Sequence, residues 1–236
     1  IWGGDSLAEW GKSFWELEPQ KGFQMLATAV NTHIITSRYG VPLMRKSNEG
    51  LIVEITDGDF AGYRGNLFYD LAKNSVIRLA YAMSCELRET QITALALTPG
   101  FLRSEAMLDH FGVDESNWQD GIEQDPYFAE SETPCYVGRA VAALAADPNV
   151  KEKAGKVWAS WTLAKEYNFT DIDGRQPDFP AFFDLSVKQM IDKGGPANEQ
   201  ERMLLLARYH QIHLDPRRSQ YAKQLENALG LMSIGN

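Results

Sequence analysis

Two short apolar runs separated by a helical pattern constrain the fold of this chain more than any other feature. The first run, residues 51–55, is rich in β-branched side chains and is bounded by turn residues, which is typical of a strand. Residues 66–87 then repeat apolar side chains with a helical period, and residues 92–97 form a second run that stops at Thr98-Pro99-Gly100. Strand, helix and strand at this spacing predict an α/β fold with a parallel sheet covered by helices. Ligands of such sheets bind beyond the carboxyl ends of the strands.

Further elements lie on both sides of this unit. Apolar side chains at helical spacing predict a helix over residues 23–44, with a kink or stop near Pro42 because proline removes a helix hydrogen bond. The sequence also predicts a helix over residues 134–146 and a strand over residues 155–159. Beyond a proline-rich break at residues 177–180 the chain reads as three helices, at residues 181–193, 198–213 and 216–229.

Composition excludes several classes of partner. The 236 residues carry a net charge of −9, whereas nucleic-acid binding depends on clustered Lys and Arg. No run reaches the roughly 18 to 20 apolar residues that span a bilayer, so we expect a cytoplasmic protein with neither a membrane nor a nucleic-acid partner. His210 and His213 have the spacing of a metal-ligand pair but lack further ligands, so we predict no metal.

Tyr69 and Lys73 are the first candidate catalytic pair. They lie four residues apart in the predicted helix 66–87, so both side chains project from one face. A nearby cation favours the phenolate, and the spacing therefore predicts a lowered pKa for Tyr69, suited to proton transfer. Asn31 is a second candidate, because an amide is a weak helix former and its position inside a predicted helix suggests a role outside that helix.

Together these residues resemble the short-chain dehydrogenase/reductase family. In that family a Tyr-x-x-x-Lys helix follows strand five, an Asn lies in the preceding helix, and strand six ends in Pro-Gly with a Ser or Thr four residues later. The matching residues here are Asn31, Tyr69, Lys73, Pro99, Gly100 and Ser104. The resemblance covers about residues 1–175 and implies the C-terminal part of a doubly wound, Rossmann-like sheet, with residues 176–236 as a helical extension.

The resemblance also implies the chemistry. It predicts an oxidoreductase that transfers a hydride between a nicotinamide cofactor, NAD or NADP, and a carbonyl or alcohol carbon. Tyr69 would be the general acid and base, Lys73 would lower its pKa and bind the nicotinamide ribose, and Asn31 would hold a water that links Lys73 to solvent. Ser104 and the backbone at Pro99 and Gly100 would face the carboxamide.

The chain departs from the family pattern at the catalytic serine. The family places this serine about thirteen residues before the tyrosine, where this chain has Thr56, whereas alignment of the strand end favours Asp57. Either residue would orient the substrate, although an aspartate would repel a developing oxyanion. This departure keeps open an alternative function, that of a non-catalytic binding or scaffold protein of the same fold.

A second departure concerns the cofactor. The family binds the pyrophosphate at a glycine-rich turn after strand one, and no such turn is found here, because Trp2-Gly3-Gly4 resembles the family segment just after strand four. We therefore expect a longer protein, of which these 236 residues alone are inactive. Aromatic side chains in residues 101–132 suggest a lid over a largely apolar small-molecule substrate, or else a satellite hydrophobic cluster. By analogy with the family we expect a homodimer or homotetramer.

Overall fold

The computed structural model describes residues 4–58, 62–212 and 219–231. They divide into two compact units, one of residues 4–58 and 64–177, the other of residues 62–63, 178–212 and 219–231. The predictions made for Trp2, Gly3, His213 and residues 216–218 fall outside the described residues.

A parallel three-stranded sheet forms the centre of the first unit. The strands are β1 (Gly50–Ile55), β2 (Ile92–Thr98) and β3 (Val157–Ala159), in the order β1-β2-β3. Residues 50–55 of β1 pair with residues 92–97 of β2, and the last three residues of β2 pair with β3. The predicted parallel sheet is confirmed. All seven residues of β2 are buried, as expected for the central strand of a sheet covered on both faces.

Helices cover both faces of this sheet. The α-helices in the described part of this unit are α1 (Pro19–Leu26), α2 (Thr32–Ser47), α3 (Leu67–Glu86), α4 (Glu105–Phe111), α5 (Pro134–Ala146) and α6 (Ser160–Tyr167). Side chains alternate along a strand, so neighbouring residues of β2 face opposite helical layers. Leu95 and Leu97 pack with Ala140 of α5 and Leu163 of α6, whereas Ala96 packs with residues of α3. The sheet is therefore doubly wound, as predicted.

The predicted helix over residues 23–44 is present and longer than expected. A π-helical segment, Ala27–Asn31, joins α1 directly to α2, so the helical conformation runs from Pro19 to Ser47. Pro42 lies inside α2 and does not end it, which corrects the expected stop. The missing proline N–H removes one backbone hydrogen bond, and the helix tolerates this loss near its end.

Residues 101–132 are more regular than their sequence suggested. Besides α4 they form two 3₁₀ helices, Trp118–Glu123 and Pro126–Glu130. Phe111, Trp118 and Phe128 are buried against one another, and Phe128 is completely inaccessible to solvent. This part of the chain thus forms the satellite hydrophobic cluster that the sequence offered as one of two interpretations.

The second unit is helical. It contains α7 (Phe179–Asp192), α8 (Glu199–Ile212) and α9 (Ser219–Leu229), close to the three predicted helices. Leu205 of α8 and Leu225 of α9 are fully buried, and the Tyr209 hydroxyl donates to Glu226 Oε1 at 3.0 Å. None of the helices in the described parts of either unit is long and apolar enough to span a bilayer.

Candidate active site

Tyr69 lies in the first turn of α3, which begins next to the carboxyl end of β1. The Asn66 side chain caps the helix by accepting from the backbone N–H groups of Phe68 at 3.0 Å and Tyr69 at 3.2 Å. Its amide nitrogen also donates to the Glu9 carbonyl, which fixes the N-terminal segment to the helix start. Asn66 is buried, and its cap holds the first turn of α3, from which the Tyr69 side chain projects.

The predicted pairing of Tyr69 with Lys73 is present in the structure. The Lys73 ammonium lies over the Tyr69 ring at 5.2 Å from its centroid, and the Trp10 ring lies 5.1 Å from the same ring at a tilted angle. Burial lowers the pKa of Lys73, although the carboxylates of Asp57 and Asp5 partly counter this effect. The phenol is thus enclosed between an aromatic ring and a cation.

The Tyr69 hydroxyl donates a hydrogen bond to Asp57. The distance from Tyr69 Oη to Asp57 Oδ2 is 3.0 Å, and Asp57 Oδ1 forms an ion pair with the Arg64 guanidinium. Burial of the phenol, and then the Asp57 charge, raise the pKa of Tyr69 far above its usual value of about 10. The sequence-based expectation of a lowered pKa is therefore wrong for the arrangement in this structure.

Thr56 faces away from this hydroxyl. It is buried, and its Oγ1 donates to the backbone carbonyl of Lys73 at 2.9 Å. Thr56 thereby attaches the end of β1 to the second turn of α3. Of the two candidates for the position of the family serine, the structure brings Asp57 to the tyrosine hydroxyl and uses Thr56 as a structural anchor.

Asn31 occupies the last position of the π-helical segment, with an exposed side chain. The same segment packs against α3, because Ala29 lies in a buried cluster with Ala72. Single π-helical turns inside α-helices often mark functional sites. The weak helix propensity of Asn31 is consistent with a π-helical segment at this position, but it would not by itself have predicted one.

Pro99, Gly100 and Ser104 lie just beyond the carboxyl end of β2. The Ser104 side chain accepts from the Met107 backbone at 3.4 Å at the start of α4. That contact uses a hydroxyl lone pair and leaves its hydrogen for another acceptor. The Gly100 N–H donates to Glu132 Oε2 at 2.9 Å, and Ser160 Oγ donates to the same oxygen at 2.7 Å.

Arg64 and Glu132 are two charged residues of this region that the sequence did not single out. Arg64 lies in the loop before α3. The only sign of its ion pair in the sequence is that it follows Asp57 by seven residues. Glu132 is 1% exposed, and burial raises its pKa to about 7 despite the hydrogen bonds from Ser160 and Gly100. Its contacts are with residues about 30 positions away, which no local pattern predicts.

Comparisons with known proteins identify relatives of this chain. A sequence model of the short chain dehydrogenase family matches residues 4–112. The human protein named dehydrogenase/reductase SDR family member 1 is 32% identical over 171 residues, which are 70% of this chain and 53% of that protein. Its mouse counterpart is 34% identical over 166 residues.

This chain belongs to the short-chain dehydrogenase/reductase family. It spans about half the length of the curated relatives that it matches. The resemblance inferred from Asn31, Tyr69, Lys73 and the Pro99-Gly100 turn is thereby confirmed at the level of the family.

Solved structures of similar fold include several dehydrogenases. An acetoin dehydrogenase from Salmonella typhimurium is 21% identical with a TM-score of 0.52, over 65% of this chain and 60% of its own. ElxO with NADP bound is 20% identical with a TM-score of 0.53, over 64% of this chain and 61% of its own. A putative gluconate 5-dehydrogenase from Beutenbergia cavernae with bound NADP is 23% identical with a TM-score of 0.50, over 62% and 58%. At this level of identity the likeness shows the fold alone.

Proposed function

We propose that the protein is an oxidoreductase that transfers a hydride between a nicotinamide cofactor and a carbonyl or alcohol carbon of a small molecule. The observation that carries this proposal is the cluster beyond the carboxyl end of β1, where Tyr69 lies between the Lys73 ammonium and the Asp57 carboxylate. Ligands of doubly wound sheets bind at this end of the strands. A phenol held there within reach of a second proton-accepting group is suited to general acid and base catalysis.

The described residues fit the nicotinamide end of such a cofactor, NAD or NADP. Lys73 offers N–H donors suited to ribose hydroxyls, and Ser104 retains a hydroxyl hydrogen suited to a carboxamide oxygen. The bound cofactor would supply or accept the hydride. Tyr69 would exchange a proton with the substrate oxygen, Asn31 would hold the water that links Lys73 to solvent, and the backbone of Pro99 and Gly100 would line the carboxamide side.

We assign Thr56 no contact with substrate in this proposal. Its hydroxyl hydrogen is directed at the Lys73 carbonyl, so Thr56 supports the position of Lys73 from behind. Asp57 takes the position at the tyrosine hydroxyl. Residues 101–132 suggested a largely apolar substrate. Phe111, Trp118 and Phe128 are buried against one another, so contact with such a substrate would fall to half-buried side chains such as Phe101 and Met107.

The substitution Tyr69→Phe tests this function in the intact protein. Phenylalanine keeps the ring contacts with Trp10 and Lys73 but removes the hydroxyl, so we expect kcat to fall by about 10² to 10⁴. Affinity for NADH or NADPH, measured by cofactor fluorescence, should change little. Tyr167→Phe at the end of α6 is the matched control and should leave turnover unchanged, because the Tyr167 hydroxyl donates to Asp147, outside the candidate site.

The alternative of a non-catalytic binding protein is favoured by one observation, the carboxylate of Asp57 at the tyrosine hydroxyl. Titration of the intact protein with NADH and NADPH separates the two functions. If neither cofactor binds at millimolar concentration, the binding protein is the better interpretation. If either cofactor binds and Tyr69→Phe abolishes turnover, the enzyme is the better interpretation.

We also propose that residues 176–236 are a separate helical extension, of which the described residues form α7, α8 and α9.

We further propose that the protein forms homodimers or homotetramers through α2 and α3. Ile35, Tyr39 and Leu43 lie four residues apart on α2, and each is more than half exposed, so they form an apolar stripe. Light scattering after size-exclusion chromatography should give a multiple of the monomer mass. Tyr39→Arg should shift the protein toward the monomer.

A further inference from the structure

The hydrogen bond between Tyr69 and Asp57 determines where the phenolic proton can go. An ionised carboxylate only accepts hydrogen bonds, so the Tyr69 hydroxyl must direct its hydrogen to Asp57 Oδ2, 3.0 Å away. A serine hydroxyl at this position would instead be able to donate a hydrogen bond toward a substrate oxygen. The carboxylate makes the site an acceptor of the tyrosine proton.

The ion pair that faces this hydrogen bond is held by backbone contacts on both sides. Gly58 has a φ of 74°, and a Cβ there would lie 2.8 Å from Arg64 Cζ, so the glycine makes room for the guanidinium. The Gly58 N–H donates to Thr98 Oγ1 at 2.8 Å, and the Arg64 N–H donates to Asp70 Oδ1 at 3.0 Å. Both ends of the loop are therefore attached to β2 and α3.

Asp57 also connects the enclosed phenol with solvent. Its side chain is 35% exposed and that of Arg64 is 21% exposed, whereas Tyr69 is packed between Trp10 and Lys73. A proton that reaches the carboxylate can therefore pass to water without crossing the protein. Among the described residues, the Lys73 ammonium and the carboxylates of Asp5 and Asp70 also lie at this cluster, Asp70 through its bond with the Arg64 N–H.

On the basis of the proposed function, we propose that Asp57 exchanges a proton with Tyr69 during hydride transfer, accepting it when an alcohol is oxidised and returning it when a carbonyl is reduced. In the direction of oxidation, the substrate O–H bond breaks as its proton passes to Tyr69 Oη, and the tyrosine O–H bond breaks as its own proton passes to Asp57 Oδ2. The substrate carbon loses its hydride to the oxidised nicotinamide cofactor and becomes a carbonyl carbon. Asp57 then releases the proton to water, and Tyr69 is neutral before and after the reaction.

Oxidation and reduction pass through the same transition state, so this proton route serves both directions of hydride transfer. The Arg64 guanidinium forms an ion pair with Asp57 Oδ1, which leaves Oδ2 to the Tyr69 hydroxyl.

The first test titrates the phenol at position 69 in the intact protein without cofactor, with 3,5-difluorotyrosine in place of Tyr69 because its more acidic phenol ionises in a pH range where the protein stays folded. Phenolate absorbance is measured with Asp57 present and in Asp57→Asn, and the signal of position 69 is obtained in each background by subtracting the matching Tyr69→Phe variant. If the tyrosine hydrogen is held by the carboxylate, Asp57→Asn moves the ionisation of this phenol down by about one pH unit or more. Asp109→Asn, which removes an exposed carboxylate on α4, should not. An unchanged titration of this phenol in Asp57→Asn overturns the proposal.

The second test counts the protons that move during catalysis. In mixtures of H₂O and D₂O, alcohol oxidation by the wild type should show the quadratic dependence expected for two protons, whereas Asp57→Ser should show a linear one. Asp57→Ser and Asp57→Asn should both lower kcat for oxidation by about 10² or more, with little change in cofactor affinity. If Asp57 only orients the substrate, Asp57→Ser restores the family residue and should keep or raise kcat. That result would refute proton transfer to Asp57.

Failure of this inference is distinguishable from failure of the proposed function. If Tyr69→Phe abolishes turnover while Asp57→Ser oxidises alcohols at the wild-type rate, the oxidoreductase stands and the proton transfer to Asp57 is wrong. If the intact protein binds neither NADH nor NADPH, both are wrong.

Discussion

Glu132 makes the stability of this protein depend on pH in a range where few carboxyl groups titrate. Its Oε2 accepts from Gly100 and Ser160, while Oε1 is buried without a hydrogen-bond partner among the described residues. Burial raises the pKa of Glu132 from 4.5 to about 7. The folded protein therefore holds a proton that the unfolded chain has already released.

The size and direction of the effect follow from this difference in pKa. Below pH 4.5 both states are protonated, and Glu132 adds no pH dependence. Between pH 4.5 and about pH 7 the folded state binds more protons than the unfolded state, so stability falls as the pH rises. The difference of about 2.5 pH units corresponds to a loss of about 3 kcal/mol that is complete above pH 7.

Glu132→Gln removes the titration and keeps an acceptor oxygen for Gly100 and Ser160. We expect the free energy of unfolding of the variant, relative to the wild type, to rise by about 3 kcal/mol between pH 4.5 and pH 8. Urea denaturation at matched pH values measures it. Glu105→Gln, at an exposed position on α4, should follow the wild type at every pH. Parallel stability curves for Glu132→Gln and the wild type would refute the reasoning.

Four further changes test the packing of the fold, each by urea denaturation. Gly22→Ala should destabilise by about 1–3 kcal/mol because its Cβ would overlap the Phe68 ring, whereas Gly138→Ala should stabilise by up to about 1 kcal/mol because its Cβ meets open space within a helix. Asn66→Ala should cost about 1 kcal/mol through loss of the α3 cap, and equal stability would show that the cap is dispensable. Thr56→Val should cost about 1 kcal/mol by removing its hydrogen bond to a backbone carbonyl of α3, and no change would contradict its role as an anchor.

The sequence predicted those elements whose signal is local. The helix over residues 134–146 matches α5, and the strands at residues 51–55 and 92–97 fall within β1 and β2. The short helices in residues 101–132 were not predicted, because helices of five to seven residues depend on tertiary packing more than on their own propensity. Their stability comes from the buried contacts among Phe111, Trp118 and Phe128.

The candidate site was predictable where it resembles the family and not where it departs from it. Tyr69, Lys73 and the Pro99-Gly100 turn follow from motif and spacing. The position of Arg64 depends on the path of a glycine-containing loop, and that of Glu132 on its hydrogen bonds with Gly100 and Ser160, which follow β2 and β3. The pKa of Tyr69 was expected to fall because spacing shows the Lys73 cation, whereas the burial and the Asp57 contact that raise it are visible only in three dimensions.

The choice between Thr56 and Asp57 shows why counting residues back from the tyrosine could not settle the serine position. Consecutive side chains of an extended segment point to opposite sides, so at the end of β1 only one of these two residues can face the tyrosine. Thr56 faces α3 and bonds to its backbone, which leaves Asp57 at the Tyr69 hydroxyl. A shift of one residue thereby decides whether a hydroxyl or a carboxylate meets the phenol. A hydroxyl there would be able to donate to the substrate oxygen, whereas the carboxylate present in this chain only accepts, and this difference is the physical reason to test Asp57 as the proton acceptor for Tyr69.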